Sequence, residues 1–244
     1  MKVKLPLVLM LCSLCQYGLR AAPQGDDLYT ACTQLKAGEI ITRKLSPDEP
    51  GCMGGQVGGI IEAPVDKVWE VLSDYNRFHE YMPRMPVTFI VSKQALDAIA
   101  KKTDWKRTAF EKMLMPYRID AMESDTVYFY NVVDMPVPVR DRWYLLEMVR
   151  DPLSCRVEWK MVTGNMKVNS GSWQLMLHPE SPNRTVAVYT TVSNSGIPIP
   201  GFIQEYGLGR SLPDIIRGVR KRAGELMMMA VDTVRYPENP GGGE

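Results

Sequence analysis

Alternating apolar and polar residues mark a series of strands in the second half of the chain. Within 156–161, Val157, Trp159 and Met161 alternate with three charged residues, so each set would lie on its own face of a strand. One dry face and one solvated face are typical of antiparallel sheets. The pattern predicts strands at 56–62, 117–122, 126–133, 142–149, 156–163, 171–178 and 185–193.

Helical spacing of apolar residues appears on both sides of these strands. Val65, Val68 and Leu72 recur every three or four positions after Pro64, a residue favoured at helix starts. Two short amphipathic helices are predicted between 92 and 115, and a long one over 212–234. A short helix is expected at 27–35, and a second short helix or turn at 75–85.

The N terminus has the pattern of a secretory signal peptide. Residues 1–4 contain two lysines, residues 5–14 are mostly apolar, and the small residues Gly18, Ala21 and Ala22 follow. The apolar run is too short to span a bilayer of ~30 Å. We therefore expect a secreted or periplasmic protein, with a signal peptide over 1–22, an N-terminal extension over 23–54, one domain over 55–235 and a flexible tail over 236–244.

Charge and side-chain chemistry exclude several function classes. The chain has 29 basic and 28 acidic residues, and removal of the signal peptide would take away three basic ones. No global basic field remains for nucleic acid. Because the mature chain has only His79 and His178 and no Cys-x-x-Cys, metal or triad chemistry is not indicated, and no cofactor is expected. Cys32 and Cys52 flank one N-terminal loop and could pair in an oxidising compartment.

A proline turn with charges beside it joins two of the predicted strands. Pro136 and Pro138 cannot both donate to a central ladder, so they mark a rigid turn or a sheet-edge crossover. Arg142 opens the strand that follows. By alternation, its face is shared by Tyr144, Leu146 and Met148.

Taken in order, these elements resemble the START / Bet v 1-like (SRPBCC) superfamily. The resemblance rests on 65–75 followed by 81–85, on 135–144, and on Gly-Ile-Pro-Ile-Pro-Gly at 196–201 with the helix after it. It implies an α+β helix-grip fold, in which a curved antiparallel sheet wraps a long C-terminal helix. Two features depart from the family pattern: Asp141 precedes Arg142 where the family often has Arg followed by Asp, and 93–114 looks like a helical insertion that suggests a specialised entrance.

The resemblance also implies a cavity for an apolar molecule, and hence a monomeric, non-catalytic carrier of a lipid, sterol or other hydrophobic small molecule. Arg142 is the best candidate to orient the polar end of that ligand. Residues 93–112 carry a local charge of +3, which would suit transient docking on an anionic bilayer. The full set of candidate ligand-facing residues is Arg142, Tyr144, Leu146, Met148, Tyr128, Tyr130, Trp159, Trp173, Ile197, Ile199, Phe202, Ile215 and Val219.

Several alternatives stay open on sequence alone. Arg142 could pair with Asp141 or Glu147 at the surface, the two tryptophans could be plain core, and the basic insertion could be a solvated helical face. Polyketide aromatase/cyclases resemble this fold too and would need an acid/base pair, such as Arg142 with Tyr130 or Tyr144. A ligand-sensing interaction module is the third function.

Overall fold

The computed structural model describes residues 26–137, 139–198 and 201–235. The predicted signal peptide and flexible tail lie outside these residues, and the domain bounds stay a prediction. No helix in this part of the chain combines the length and apolar character needed to cross a bilayer.

The described residues form one antiparallel sheet in the order β1-β2-β9-β8-β7-β6-β5-β3-β4. Its strands are β1 (Ile40–Leu45), β2 (Met53–Ile61), β3 (Val87–Val91), β4 (Arg118–Ile119), β5 (Thr126–Val133), β6 (Arg142–Asp151), β7 (Arg156–Gly164), β8 (Val168–His178) and β9 (Ser181–Asn194). The helices are α1 (Asp26–Thr33), α2 (Val65–Ser73), α3 (Phe78–Tyr81), α4 (Ala95–Ile99), α5 (Arg107–Leu114), α6 (Gly201–Tyr206) and α7 (Leu212–Arg235), and a π-helical turn (Gly207–Ser211) joins the last two.

Most predicted elements are confirmed, and β5 has the predicted bounds. Two strands were missed. β1 is the edge strand of the described sheet, paired with β2, and it is half-buried along most of its length, so its mixed sequence shows no clear dry face. β3 follows Pro86 directly and is too short for a periodic signal. The strand predicted at 117–122 shortens to the two residues of β4, which end the sheet.

The long helix α7 packs on the inner face of the sheet, as the helix-grip prediction requires. Ile216, Val219 and Ala223 are fully buried in a cluster shared with β2, β5, β6, β7 and β8. Gly218 lies where a Cβ atom would clash with the Tyr81 carbonyl oxygen, so α7 and α3 are in backbone contact there. Arg220 fixes the same helix to the sheet by donating to the backbone carbonyl oxygen of Ile60 at 2.7 Å.

The predicted helical insertion is present as α4 and α5, and its suggested role as an entrance stays a prediction. Phe110 of α5 is fully buried, with its ring centroid 5.0 Å from that of Trp143 and 5.8 Å from that of Tyr130. These aromatic residues belong to a second cluster on the outer face of β3, β5 and β6. The insertion therefore covers the face of the sheet opposite α7.

Candidate functional site

A cavity of about 250 Å³ lies between the inner face of the sheet and the start of α7. β5 ends and β6 begins at this edge of the sheet, where β9 ends and β8 and β2 begin, so loops from several strands converge on it. The apolar part of the wall comes from Met53, Val133, Met135, Tyr144, Met166, Tyr189 and Leu212. The polar part comes from Lys44, Arg142, Asn169, Thr191, Ser193, Ser195 and Ser211.

Arg142 is the buried charge of this cavity. It is the first residue of β6 and pairs with Val133 across the ladder, which fixes its side chain on the inner face. Only 7% of the residue is exposed, and its Nε and Nη2 atoms have no hydrogen-bond partner. Burial lowers the pKa of its guanidinium below the ordinary value, although arginine remains charged in proteins. The cavity therefore holds a cation with unsatisfied donors.

The two carboxylates that could neutralise Arg142 at the surface are both engaged elsewhere. Asp141 accepts from Arg107 Nη1 at 3.4 Å and from the Met135 backbone N–H at 3.4 Å. Glu147 pairs with Lys160 Nζ at 3.0 Å. Among the residues that the structure describes, no carboxylate forms an ion pair with Arg142. The surface-pairing alternative is therefore wrong for this fold.

The prediction that one face carries Arg142, Tyr144, Leu146 and Met148 is confirmed by their inward burial. Tyr144 lines the cavity beside Arg142, whereas Leu146 and Met148 continue into the core below it. Burial raises the pKa of Tyr144, so its phenol is held in the neutral form. The inner face of β6 thus changes along its length from cavity wall to core.

The remaining inner-face candidates lie in the core and not on the cavity wall. Trp159 stacks on Tyr189 with ring centroids 5.3 Å apart, and its Nε1 donates to Asn169 Oδ1 at 3.1 Å. It therefore supports two residues of the wall from behind. Trp173, Ile215 and Val219 are likewise buried in the main cluster.

Tyr128 and Tyr130 were placed on the wrong face. The ladder pairs Tyr130 with Leu145 and Tyr128 with Glu147, whereas Arg142 and Tyr144 pair with Val133 and Asn131. Directly paired residues share a face, so both tyrosines point outward toward the insertion. Tyr130 Oη donates to Glu111 Oε1 at 2.8 Å there. The Arg142–Tyr130 acid/base pair considered for a cyclase is therefore not assembled.

The loop after β9 contributes to the rim of the cavity. Ser195 lines the cavity, and Gly196 has φ +78°, a conformation that favours glycine. Ile197 is 48% exposed, which places it at the solvent side of the loop. Ile199 and the side chain of Phe202 lie outside the described residues.

Several wall residues were missed by sequence reasoning. Four residues that recur at every second position line the cavity: Tyr189, Thr191 and Ser193 at the end of β9, and Ser195 directly after it. Their polar character resembles that of a solvated strand face, so periodicity alone assigns them to the outside. The signal that could have found them is the unbroken apolar run earlier in the strand, from Val186 to Val188, which shows that β9 is buried on both faces there.

The suggested Cys32–Cys52 pair is not formed, and both thiols are free. The Cys32 sulphur lies against Gly58 under the middle of β2, whereas Cys52 immediately precedes that strand. Six residues of strand separate the two positions by ~20 Å, far beyond disulfide reach. Burial raises the pKa of Cys32 to about 11.

A second recess, of about 380 Å³, lies at the opposite end of β5 beside β3 and β4. Lys93, Glu123 and Glu147 contribute to its lining. Within the described ranges, none of its lining side chains is both buried and lacking a hydrogen-bond partner. Because its polar groups are satisfied or solvated, it has the character of a surface groove, and the cavity at Arg142 is the stronger candidate.

Comparison with known proteins places this architecture among ligand-binding folds. Residues 59–174 match the family described as polyketide cyclase / dehydrase and lipid transport. No curated protein matches the sequence. A STAR-related lipid transfer protein from Xanthomonas axonopodis is similar in structure, with a TM-score of 0.57, 14% identity, and coverage of 78% of this chain and 96% of the other.

Two further solved structures are similar. The Zhui aromatase/cyclase from Streptomyces sp. R1128 has a TM-score of 0.51 and 14% identity, covering 79% of this chain and 98% of that protein. A protein from Thermus thermophilus has a TM-score of 0.50 and 15% identity, covering 70% of this chain and 97% of that one. At such low identity these similarities show the fold alone, and the similar proteins include both a lipid transfer protein and an enzyme.

Proposed function

The chain belongs to the START / Bet v 1-like (SRPBCC) superfamily, and from that premise we propose that it binds and carries a hydrophobic small molecule without catalysis. The observation that supports this most is the cavity itself, which combines a methionine- and tyrosine-rich wall with one buried arginine. Such a wall adapts to an apolar ligand, and a few convergent polar groups orient it.

A carrier of this kind needs no covalent step. Moving a long acyl chain or ring system through water exposes apolar surface at ~25 cal/mol per Å². A closed cavity removes that barrier by keeping the ligand covered between donor and acceptor. The cavity of about 250 Å³ is below the ~300–1,000 Å³ typical of small-molecule sites, which favours a slender ligand or one whose entry widens the pocket.

The site offers little support for the cyclase alternative. General acid/base catalysis works best with a pKa near the operating pH. Burial moves the pKa of Tyr144 upward, and Tyr130 lies on the other face of the sheet. Arg142 is then better suited to hold a ligand than to transfer its protons.

The proposed location is outside the cytoplasm, supported by the signal-peptide pattern of residues 1–22. The proposed carrier is a monomer that touches membranes transiently. The basic insertion is the candidate contact, because Lys101, Lys106 and Lys112 are exposed on it. Arg107 is not available in the same way, since it pairs with Glu111 at 3.0 Å and with Asp141.

Co-purification from the native host tests the proposal. The full chain should carry a near-stoichiometric hydrophobic molecule, detected by native mass spectrometry. Met166→Trp should fill the cavity and reduce the bound fraction severalfold, whereas Leu153→Trp at a fully exposed position should leave it unchanged. An empty wild-type protein that instead converts a polyketide substrate would favour the enzyme.

A further inference from the structure

We propose that the ligand of this cavity is a single-chain carboxylic acid, bound as the carboxylate with its charged end inside, on Arg142. This inference rests on the proposed binding function and narrows it to one class of ligand. The starting observation is that Arg142, a residue more than nine-tenths buried, lines the cavity and has two buried donor atoms, Nε and Nη2, without hydrogen-bond partners.

The need for a negative charge follows from the cost of the buried cation. A buried, unpaired charge destabilises a protein, and the anion that neutralises it is usually a neighbouring side chain. Here no acidic residue lines the described part of the cavity wall, and Asp141 and Glu147 are held by other cations. A neutral hydroxyl could accept one hydrogen bond from Arg142, but it would leave the charge uncompensated. An anionic ligand would accept hydrogen bonds from Arg142 and would also neutralise its charge.

The geometry of the unsatisfied donors favours a carboxylate. Nε and Nη2 are the two atoms on one edge of the guanidinium, where parallel N–H bonds match the two oxygens of a carboxylate. A phosphate monoester carries about −1.5 to −2 charges at neutral pH, more than one arginine can neutralise. The other cation of the wall, Lys44, is exposed at the rim, where solvent screens its charge.

The rest of the wall suits one apolar chain. Met166, Leu212 and Met53 supply flexible or branched apolar surface near the arginine. A volume of about 250 Å³ leaves little room for a ligand with two chains. The neutral phenol of Tyr144 lies on the same face as Arg142 and adds a hydrogen-bond donor without adding a competing negative charge.

The same strand provides a matched control for Arg142. Arg150 lies on the same face of β6, and its side chain is 10% exposed. Its Nε has no hydrogen-bond partner, like that of Arg142, but both of its Nη atoms have partners. Its Nη1 lies 3.6 Å from Asp125 Oδ1, and its Nη2 donates to Ser73 Oγ at 2.9 Å. Replacing it removes a buried arginine without touching the cavity.

The experiment compares dodecanoate with dodecanol, which share a chain and differ in charge, by isothermal titration calorimetry on the ligand-free full chain. Wild type should bind the acid at least about tenfold more tightly, because the charge-assisted bond is made in a low-dielectric site. Arg142→Met should abolish the preference while still binding dodecanol. Arg142→Lys should retain part of it, and Arg150→Met should keep all of it.

Each other outcome overturns a stated part of the account. Equal binding of acid and alcohol by wild type, or an acid preference that survives Arg142→Met, would overturn the charge assignment but leave the binding function standing. Tighter binding of dodecyl phosphate than of dodecanoate would overturn the choice of carboxylate. If wild type binds none of the three, this inference falls, whereas the proposed function is decided separately by the molecule that co-purifies with the protein.

Discussion

Each end of β6 carries a buried arginine, and the two arginines differ in their partners. Arg150 is surrounded by Asp125, Ser73 and the ring of Trp69, whose centroid is 5.1 Å from its guanidinium carbon. Arg142 lies on the same face with comparable burial and without a carboxylate partner among the described residues. Nε is unpartnered in both arginines, so the difference between them is the carboxylate that Arg150 has and the Nη2 partner that Arg142 lacks. We attribute the missing anion at the cavity end to a ligand.

The largest expected contrast between the two arginines is in the stability of the ligand-free protein. Arg150→Met should lower the free energy of unfolding by about 2 kcal/mol, because a charge-assisted bond and a cation–π contact are lost. Arg142→Met should leave it unchanged or raise it by about 1 kcal/mol, because it removes an unpaired buried charge. Urea unfolding monitored by tryptophan fluorescence measures both.

The reverse order would break the comparison. If Arg142→Met unfolds more easily than Arg150→Met in the ligand-free state, then Arg142 has a structural role that its contacts do not explain. If both variants lose the same free energy of unfolding, the burial of the arginine, and not its partners, determines its contribution to stability.

The smallest expected effect on stability comes from exposed basic residues of the insertion. Reversing Lys101, Lys106 and Lys112 to Glu should change the free energy of unfolding by less than about 0.5 kcal/mol, because surface substitutions away from packed contacts usually do. The same variant should bind anionic vesicles severalfold more weakly in a sedimentation assay at low salt.

A charge-matched control separates docking from net charge. Replacing Lys36, Lys160 and Lys221 with Glu changes the net charge by the same amount at positions outside the insertion. All three lysines are exposed. It should reduce vesicle binding less. Equal losses in the two variants would mean that the insertion is an ordinary solvated face.

The sequence was sufficient to predict the inward face of β6, because a strand repeats every two residues. It was not sufficient to predict which residues of the neighbouring strand, β5, lie on the same face. A long turn separates Val133 from Arg142, and the register across it decides whether Tyr130 or Asn131 lies on the inner face of the sheet. Tyr128 and Tyr130 were therefore misplaced although their strand was predicted with its observed bounds.

Partners from distant segments were also beyond the reach of local patterns. Asp141 precedes Arg142, an order that left the pairing of Arg142 open on sequence alone. In the fold, the Asp141 carboxylate pairs with Arg107, a residue of the insertion 34 positions earlier in the chain. The negative charge of Asp141 is therefore neutralised by Arg107. The helical insertion was predicted from its periodicity, but its place on the outer face depends on aromatic packing between Phe110 and Trp143.

The most direct test of the central claim is a crystal structure of the full chain with dodecanoate bound. We expect the two carboxylate oxygens to lie ~2.7–2.9 Å from Nε and Nη2 of Arg142, with the chain running along Met166 and Leu212. A carboxylate in solvent beside Lys44, with the methyl end of the chain against Arg142, would contradict the account.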